Sequence, residues 1–137
     1  KQVPLEKEIH CIQNYLDLEK IRQGDRCEIN FSLDGNVNGH QIAPLLFIPF
    51  IENSFKHGVN NQIGSGYVNI NLLIEGEELK LHVENGKPTE ALQNSESGGI
   101  GLENVRRRLN LIYPKRHKLQ IQDKEDAFIV DLKLKLS

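Results

Sequence analysis

Five stretches of this chain alternate apolar and polar residues with a period of two, and four of them come in two pairs. Tyr67 to Glu75 and Glu78 to Asn85 meet at Glu75-Gly76-Glu77. Leu119 and Ile121, then Phe128, Val130, Leu132, Leu134 and Leu136, meet across Lys124-Glu125-Asp126. Successive side chains of a strand point to opposite faces, so each run has one apolar face and each pair reads as an antiparallel hairpin. Hairpins with one apolar face need a second layer to cover it, and the chain supplies helices for the purpose. Leu5, Ile9, Ile12 and Leu16 share one face of a helix predicted over Val3 to Gln23, punctuated by Pro4 and Gly24. A second stripe, Cys11, Tyr15 and Leu18, is expected to widen its buried surface. Ala43 to Gly58 is dense in Leu, Ile and Phe, with Pro44 suited to a first helical turn, Gly58 to a C-terminal cap, and Pro49 marking a bend or a late start. Leu102, Val105, Leu109 and Ile112 restore helical spacing up to Pro114. A further strand, Glu28 to Asp34, ends at Asp34-Gly35-Asn36, and Gly86 to Gly99 reads as one long loop. The pattern predicts an α/β (α+β) two-layer sandwich, a mixed sheet with its helices on one face.

At 137 residues the chain suits one domain. Seventeen Lys and Arg against nineteen Asp and Glu leave a net charge of -2, too little positive field to hold nucleic acid. Cys11 and Cys27 fit neither a metal pattern nor a disulfide framework, which favours a reduced setting. No apolar run reaches the ~18 residues of a membrane span.

Asn53, Lys56 and His57 lie at i, i+3 and i+4, one polar and cationic face beside the apolar stripe Ile48, Ile51 and Phe55. About forty residues later, Gly98-Gly99-Ile100-Gly101-Leu102 runs straight into a helix. Glycines there let backbone N–H groups approach an anion, and the helix N-terminus adds positive potential. Either element alone is weak; the pair in this order points to a phosphate-bearing ligand.

The stretch Ala43-Pro44-Leu45-Leu46-Phe47-Ile48-Pro49-Phe50-Ile51-Glu52-Asn53-Ser54-Phe55-Lys56-His57-Gly58 resembles the N box of sensor histidine kinases of the LytS type. Gly99-Ile100-Gly101-Leu102-Glu103-Asn104-Val105-Arg106-Arg107-Arg108-Leu109 resembles their second glycine box. Leu5 to Arg22 is similar to the helix that in this class joins the dimerisation domain to the catalytic domain. The resemblance implies residues 1–24 as that connecting helix and 25–137 as an ATP-binding domain of the Bergerat type, shared with type II topoisomerases, ninety-kilodalton heat-shock chaperones and MutL repair proteins. It implies ATP and Mg²⁺ as ligands, with Asn53 holding the metal through its amide oxygen, Lys56 on phosphate, His57 lining the pocket, and Gly99, Ile100, Gly101 and Leu102 at the lid. Glu52, beside Asn53 but about 100° around the helix, helps orient the acceptor in this family. The implied activity is transfer of the ATP γ-phosphate to a histidine on a dimerisation domain. The implied partners are that domain, a response regulator of the LytTR type and a second copy of the parent. The implied setting is the cytoplasmic side of a bacterial inner-membrane protein.

The chain departs from the family's pattern in two places. The first glycine box has an Asp that accepts the adenine amino group; Asn85 takes that position here, on the face of Leu79, Leu81 and Val83, while Glu84 faces the other way. A carboxamide can present its oxygen or its NH₂, so discrimination between adenine and guanine is expected to soften. Only Gly86 survives of the glycines that follow, before Lys87-Pro88. That leaves as alternative a degenerate nucleotide-binding or relay domain without kinase activity. The other departure is Pro49, where hydrolytic members of the fold carry a glutamate base, and it favours transfer to a side chain over ATP hydrolysis. Arg106, Arg107 and Arg108 are expected mainly on a solvated face. His10 has no acceptor motif around it and reads as structural, and His82 and His117 read as surface histidines.

Overall fold

The computed structural model describes residues 1–57, 66–87 and 99–136. Its main sheet has five strands in the order β2 (Cys27–Asp34), β4 (Gly66–Glu75), β5 (Glu78–Gly86), β7 (Ala127–Lys135), β6 (His117–Asp123). All neighbours run antiparallel except β2, which lies parallel to β4. Both expected hairpins form, and Gly76, at φ 61, supplies the positive φ of the β4–β5 turn. Register then aligns the apolar faces: Leu72 opposes Leu81, which opposes Leu132. Parallel pairing of β2 follows from the crossover that the second long helix provides. At the end of β2, Gly35 turns the chain at φ 106, so close to Ile74 that a Cβ would overlap its carbonyl oxygen.

One sheet face is buried through Val68, Ile70, Leu72, Leu79, Leu81, Val83, Phe128, Val130, Leu132 and Leu134. These residues form a single core with the apolar faces of three helices, which gives the mixed two-layer arrangement expected from the pattern. The other face is polar, with Asn30 donating to Asn69 (2.9 Å), Ser32 to Asn71 (2.7 Å), and His82 paired with Asp131 (2.7 Å).

The first helix, α1 (Leu5–Gln23), buries Leu5, Ile9, Ile12 and Leu16 as its spacing predicts. Its second stripe is not a buried surface: Leu18 is 63% exposed, Cys11 is exposed, and Tyr15 is half-buried, its ring edge-on to Phe55 at 5.9 Å. Among the described residues the contact shown for this stripe is that of Tyr15 with Phe55 on α2 (Ile48–His57). The helix α2 starts late, at Ile48, with Pro49 in the first turn, where the missing N–H costs no intrahelical bond. Pro44 therefore precedes the helix instead of opening it. The third helix, α3 (Gly99–Ile112), buries Leu102, Val105 and Leu109; Ile112 is 39% exposed and Tyr113 takes its place in the core. Periodicity gave no sign of the two-residue pairing of β1 (Val3–Pro4) with β3 (Gln41–Ile42), which ties the start of α1 to the approach to α2. The expected cap at Gly58 and the loop from Pro88 to Gly98 lie outside the described residues.

Candidate functional site

Asn85 ends the buried row of β5, where alternation puts it on the face of Leu79, Leu81 and Val83. It is 2% exposed. Its Nδ2 donates to the Gly86 carbonyl oxygen at 2.9 Å, and its Oδ1 is buried without a partner among the described residues. Turning the amide over would set two acceptor oxygens against each other at that separation, so the bond to Gly86 fixes the orientation. A buried carbonyl oxygen left unpaired costs ~1–3 kcal/mol. Such a cost marks a place where a donor is missing.

Against β5 packs α2, which carries Asn53. Asn53 is 9% exposed, and its side chain makes no hydrogen bond to any described residue. Ile51 and Phe55 anchor the helix in the core and Ile48 is half-buried, as expected of that stripe. Ser54 bonds back to the Phe50 carbonyl at 3.3 Å. Glu52 and Lys56 stand exposed on the same helix. His57 is its last residue, and its side chain lies outside the described set. Next to α2 lies α3, whose first turn contains Gly99, Ile100, Gly101 and Leu102. First-turn N–H groups have no acceptor within a helix, so the glycine element sits where an anion would be held. Of these four, Leu102 is buried, and the side chains of the others are outside the described set. The structure thus brings β5, α2 and the start of α3 together, with two buried amides on the first two.

Four residues around the entry to α2 escaped the sequence reasoning. Glu8, 4% exposed on α1, accepts from the Leu45 N–H at 2.9 Å. Burial pushes its carboxyl above the ordinary 4.5, against the bonds from the Leu45 and Leu46 backbone and the nearby Arg108. Arg108 leaves the solvated face expected for it: its guanidinium donates to the carbonyls of Pro44 (2.9 Å) and Leu45 (3.2 Å), while Arg106 and Arg107 are exposed. Tyr113 Oη accepts from the Ala43 N–H at 3.1 Å. Leu45 itself has φ 56 and is 59% exposed. Glu8 was within reach of the sequence, since it falls among Leu5, Ile9 and Ile12 on the buried face of α1. Farther along α1, buried Glu19 accepts from Gln23 (3.1 Å) and Arg22 (3.0 Å), and together with burial it pushes the Tyr15 hydroxyl and the Cys27 thiol up. His10 is exposed, and His117 is held by the Tyr113 carbonyl at 2.8 Å.

No protein-family model matches the chain. The sensor histidine kinase YpdA of Escherichia coli K12 is 31% identical over 121 residues, 82% of this chain and 21% of its own length. The sensor protein LytS of Staphylococcus saprophyticus is 31% identical over 130 residues, 87% of this chain and 22% of its own. The chain is a homologue of sensor histidine kinases. It spans about a fifth of the length of these relatives. The solved catalytic domain of the histidine kinase ThkA superposes with a TM-score of 0.64 over 99% of this chain and 95% of its own, at 15% identity. This sensor kinase homologue therefore has the α+β fold of histidine kinase catalytic domains, with a mixed five-stranded sheet.

Proposed function

We propose that the domain binds Mg·ATP between β5, α2 and α3 and donates the γ-phosphate to a histidine on a dimerisation domain of a longer sensor kinase. The unpartnered, buried Oδ1 of Asn85 carries this reading, because an adenine amino group would supply the missing donor. Asn53 would offer its amide oxygen to the metal; Mg²⁺ takes a few protein oxygens and completes its shell with water and phosphate oxygens, which this sparse set of donors suits. When bound, the metal neutralises charge on the transferred group. By the resemblance Lys56 would supply a cation for phosphate, His57 would line the pocket, and the glycines of the α3 first turn would offer N–H groups to the triphosphate. Pro49 provides no base to activate water, and Glu52 stands exposed beside Asn53, where it would orient an incoming acceptor.

Residues 1–24 then form the connecting helix and 25–137 the ATP-binding domain. The partners are the phosphoacceptor domain, a second copy of the parent and a response regulator of the LytTR type. ThkA has been solved in complex with the response regulator TrrA, which supports a regulator as partner. The setting is the cytoplasmic side of an inner-membrane protein; among the described residues no helix is long and apolar enough to cross a membrane.

Titration calorimetry with and without Mg²⁺ tests the site. Asn53→Ala is expected to abolish the metal-dependent part of ATP binding. Equal affinities in the two proteins would remove Asn53 from the metal site.

A further inference from the structure

The three residues that lead into α2 are held by side chains from both other helices. Tyr113, just past the end of α3, takes the Ala43 N–H. Arg108, on α3, takes the Pro44 and Leu45 carbonyls, and Glu8, on α1, takes the Leu45 N–H. Within this staple Leu45 sits at φ 56, a conformation that L residues adopt at a cost. Its side chain is 59% exposed, so no burial of its own accounts for that backbone. The conformation is imposed from outside, by Glu8 on the N–H side and Arg108 on the carbonyl side. Three residues further on, α2 begins, and Asn53 lies in its second turn.

We infer that Glu8 and Arg108 are positioning residues, which clamp the Leu45 turn and thereby set where α2 presents Asn53. The inference rests on the assignment of Asn53 as metal ligand. It goes further, because it makes the geometry of the metal subsite depend on α1 and on the far end of the helix whose first turn carries the glycines. Asn85, held on β5 by Gly86, lies outside the clamp. Loosening the clamp should therefore disturb the metal-dependent part of nucleotide binding and spare the part that reads the base.

The test measures ATP affinity with and without Mg²⁺ for the wild-type chain, Glu8→Leu, Arg108→Met and Arg108→Lys, with Arg106→Met as an exposed control on the same helix. Groups that orient a metal ligand typically contribute roughly 10- to 100-fold in metal affinity. The enhancement of ATP binding by Mg²⁺ is expected to shrink on that scale in Glu8→Leu and Arg108→Met. It should shrink less in Arg108→Lys, which keeps the charge but not the two-pronged geometry, and not at all in Arg106→Met. ATP binding without Mg²⁺ should stay within about twofold of wild type, which a general loosening of the fold would not allow. Parallel losses with and without metal, or no loss in either, overturn the inference. If Glu8→Leu fails to fold, the arginine variants decide alone. A wild-type chain that binds no ATP overturns the nucleotide reading itself, whereas one that binds ATP equally with and without Mg²⁺ overturns the metal assignment and this inference together.

Discussion

Asn85 shows how a neighbour decides the chemistry of a side chain. From sequence it could offer either end of its amide to a base, and softened discrimination was the expectation. In the fold one N–H of its amide is taken by the Gly86 carbonyl, which fixes the orientation of the group and leaves Oδ1 as its buried atom without a partner among the described residues. An oriented Asn then does what an Asp would do, without placing a charge in the interior. ATP should bind more tightly than purine riboside triphosphate, which differs only in carrying a hydrogen in place of the amino group. The margin expected from one unpaired buried group is ~1–3 kcal/mol, or roughly 5- to 150-fold. Asn85→Leu should erase the margin. Equal affinity of wild type for the two nucleotides would show that Asn85 does not read the base. Asn53, Lys56 and the glycines were legible as candidates from spacing alone. Arg108 was not, because carbonyls 63 and 64 residues away in the chain hold it.

Among the elements, those with strict periodicity were legible and those whose limits depend on neighbours were not. The four hairpin strands match the alternating runs, since register with one buried face fixes every side chain. Of the bend or late start that Pro49 marked, the structure shows the late start, at Ile48, because Glu8, Arg108 and Tyr113 hold the backbone of 43–45 in another shape. Leu18 lies in solvent because helical spacing says which residues share a face, not whether anything covers it. The junction of β2 with its turn makes a sharp test of packing. Gly35→Ala adds a Cβ that overlaps the Ile74 carbonyl, at a φ hostile to L residues. A loss of about 1–3 kcal/mol is expected in urea unfolding. Gly24→Ala, whose Cβ would meet nothing within 4 Å, serves as control for positive φ alone. Equal losses would show that the close approach to Ile74 contributes nothing.

For the molecule as a whole, Glu8 ties folding to pH. Its folded pKa lies above the ordinary 4.5, so between the two values the folded chain binds more protons than the unfolded one. That contribution is full below about 4.5 and is lost as pH rises through the folded value. The stability of the wild type relative to Glu8→Gln should therefore rise as pH falls from 7 toward 4.5. A difference that stays flat, or moves the other way, would mean that Glu8 is not destabilised by burial. The sheet order has its own consequence, in time. The β4–β5 and β6–β7 pairs join neighbours in sequence, whereas the β2–β4 and β5–β7 pairs close long loops. The helix α2 lies in the first of those long connections and α3 in the second. Local hairpins close in microseconds, and distant pairings must first meet the entropy of loop closure. The candidate site is thus complete only late in folding, when α2 and α3 meet the early strand β5, so a bound nucleotide would act as the last piece that fastens the two hairpins, and β2, into one sheet.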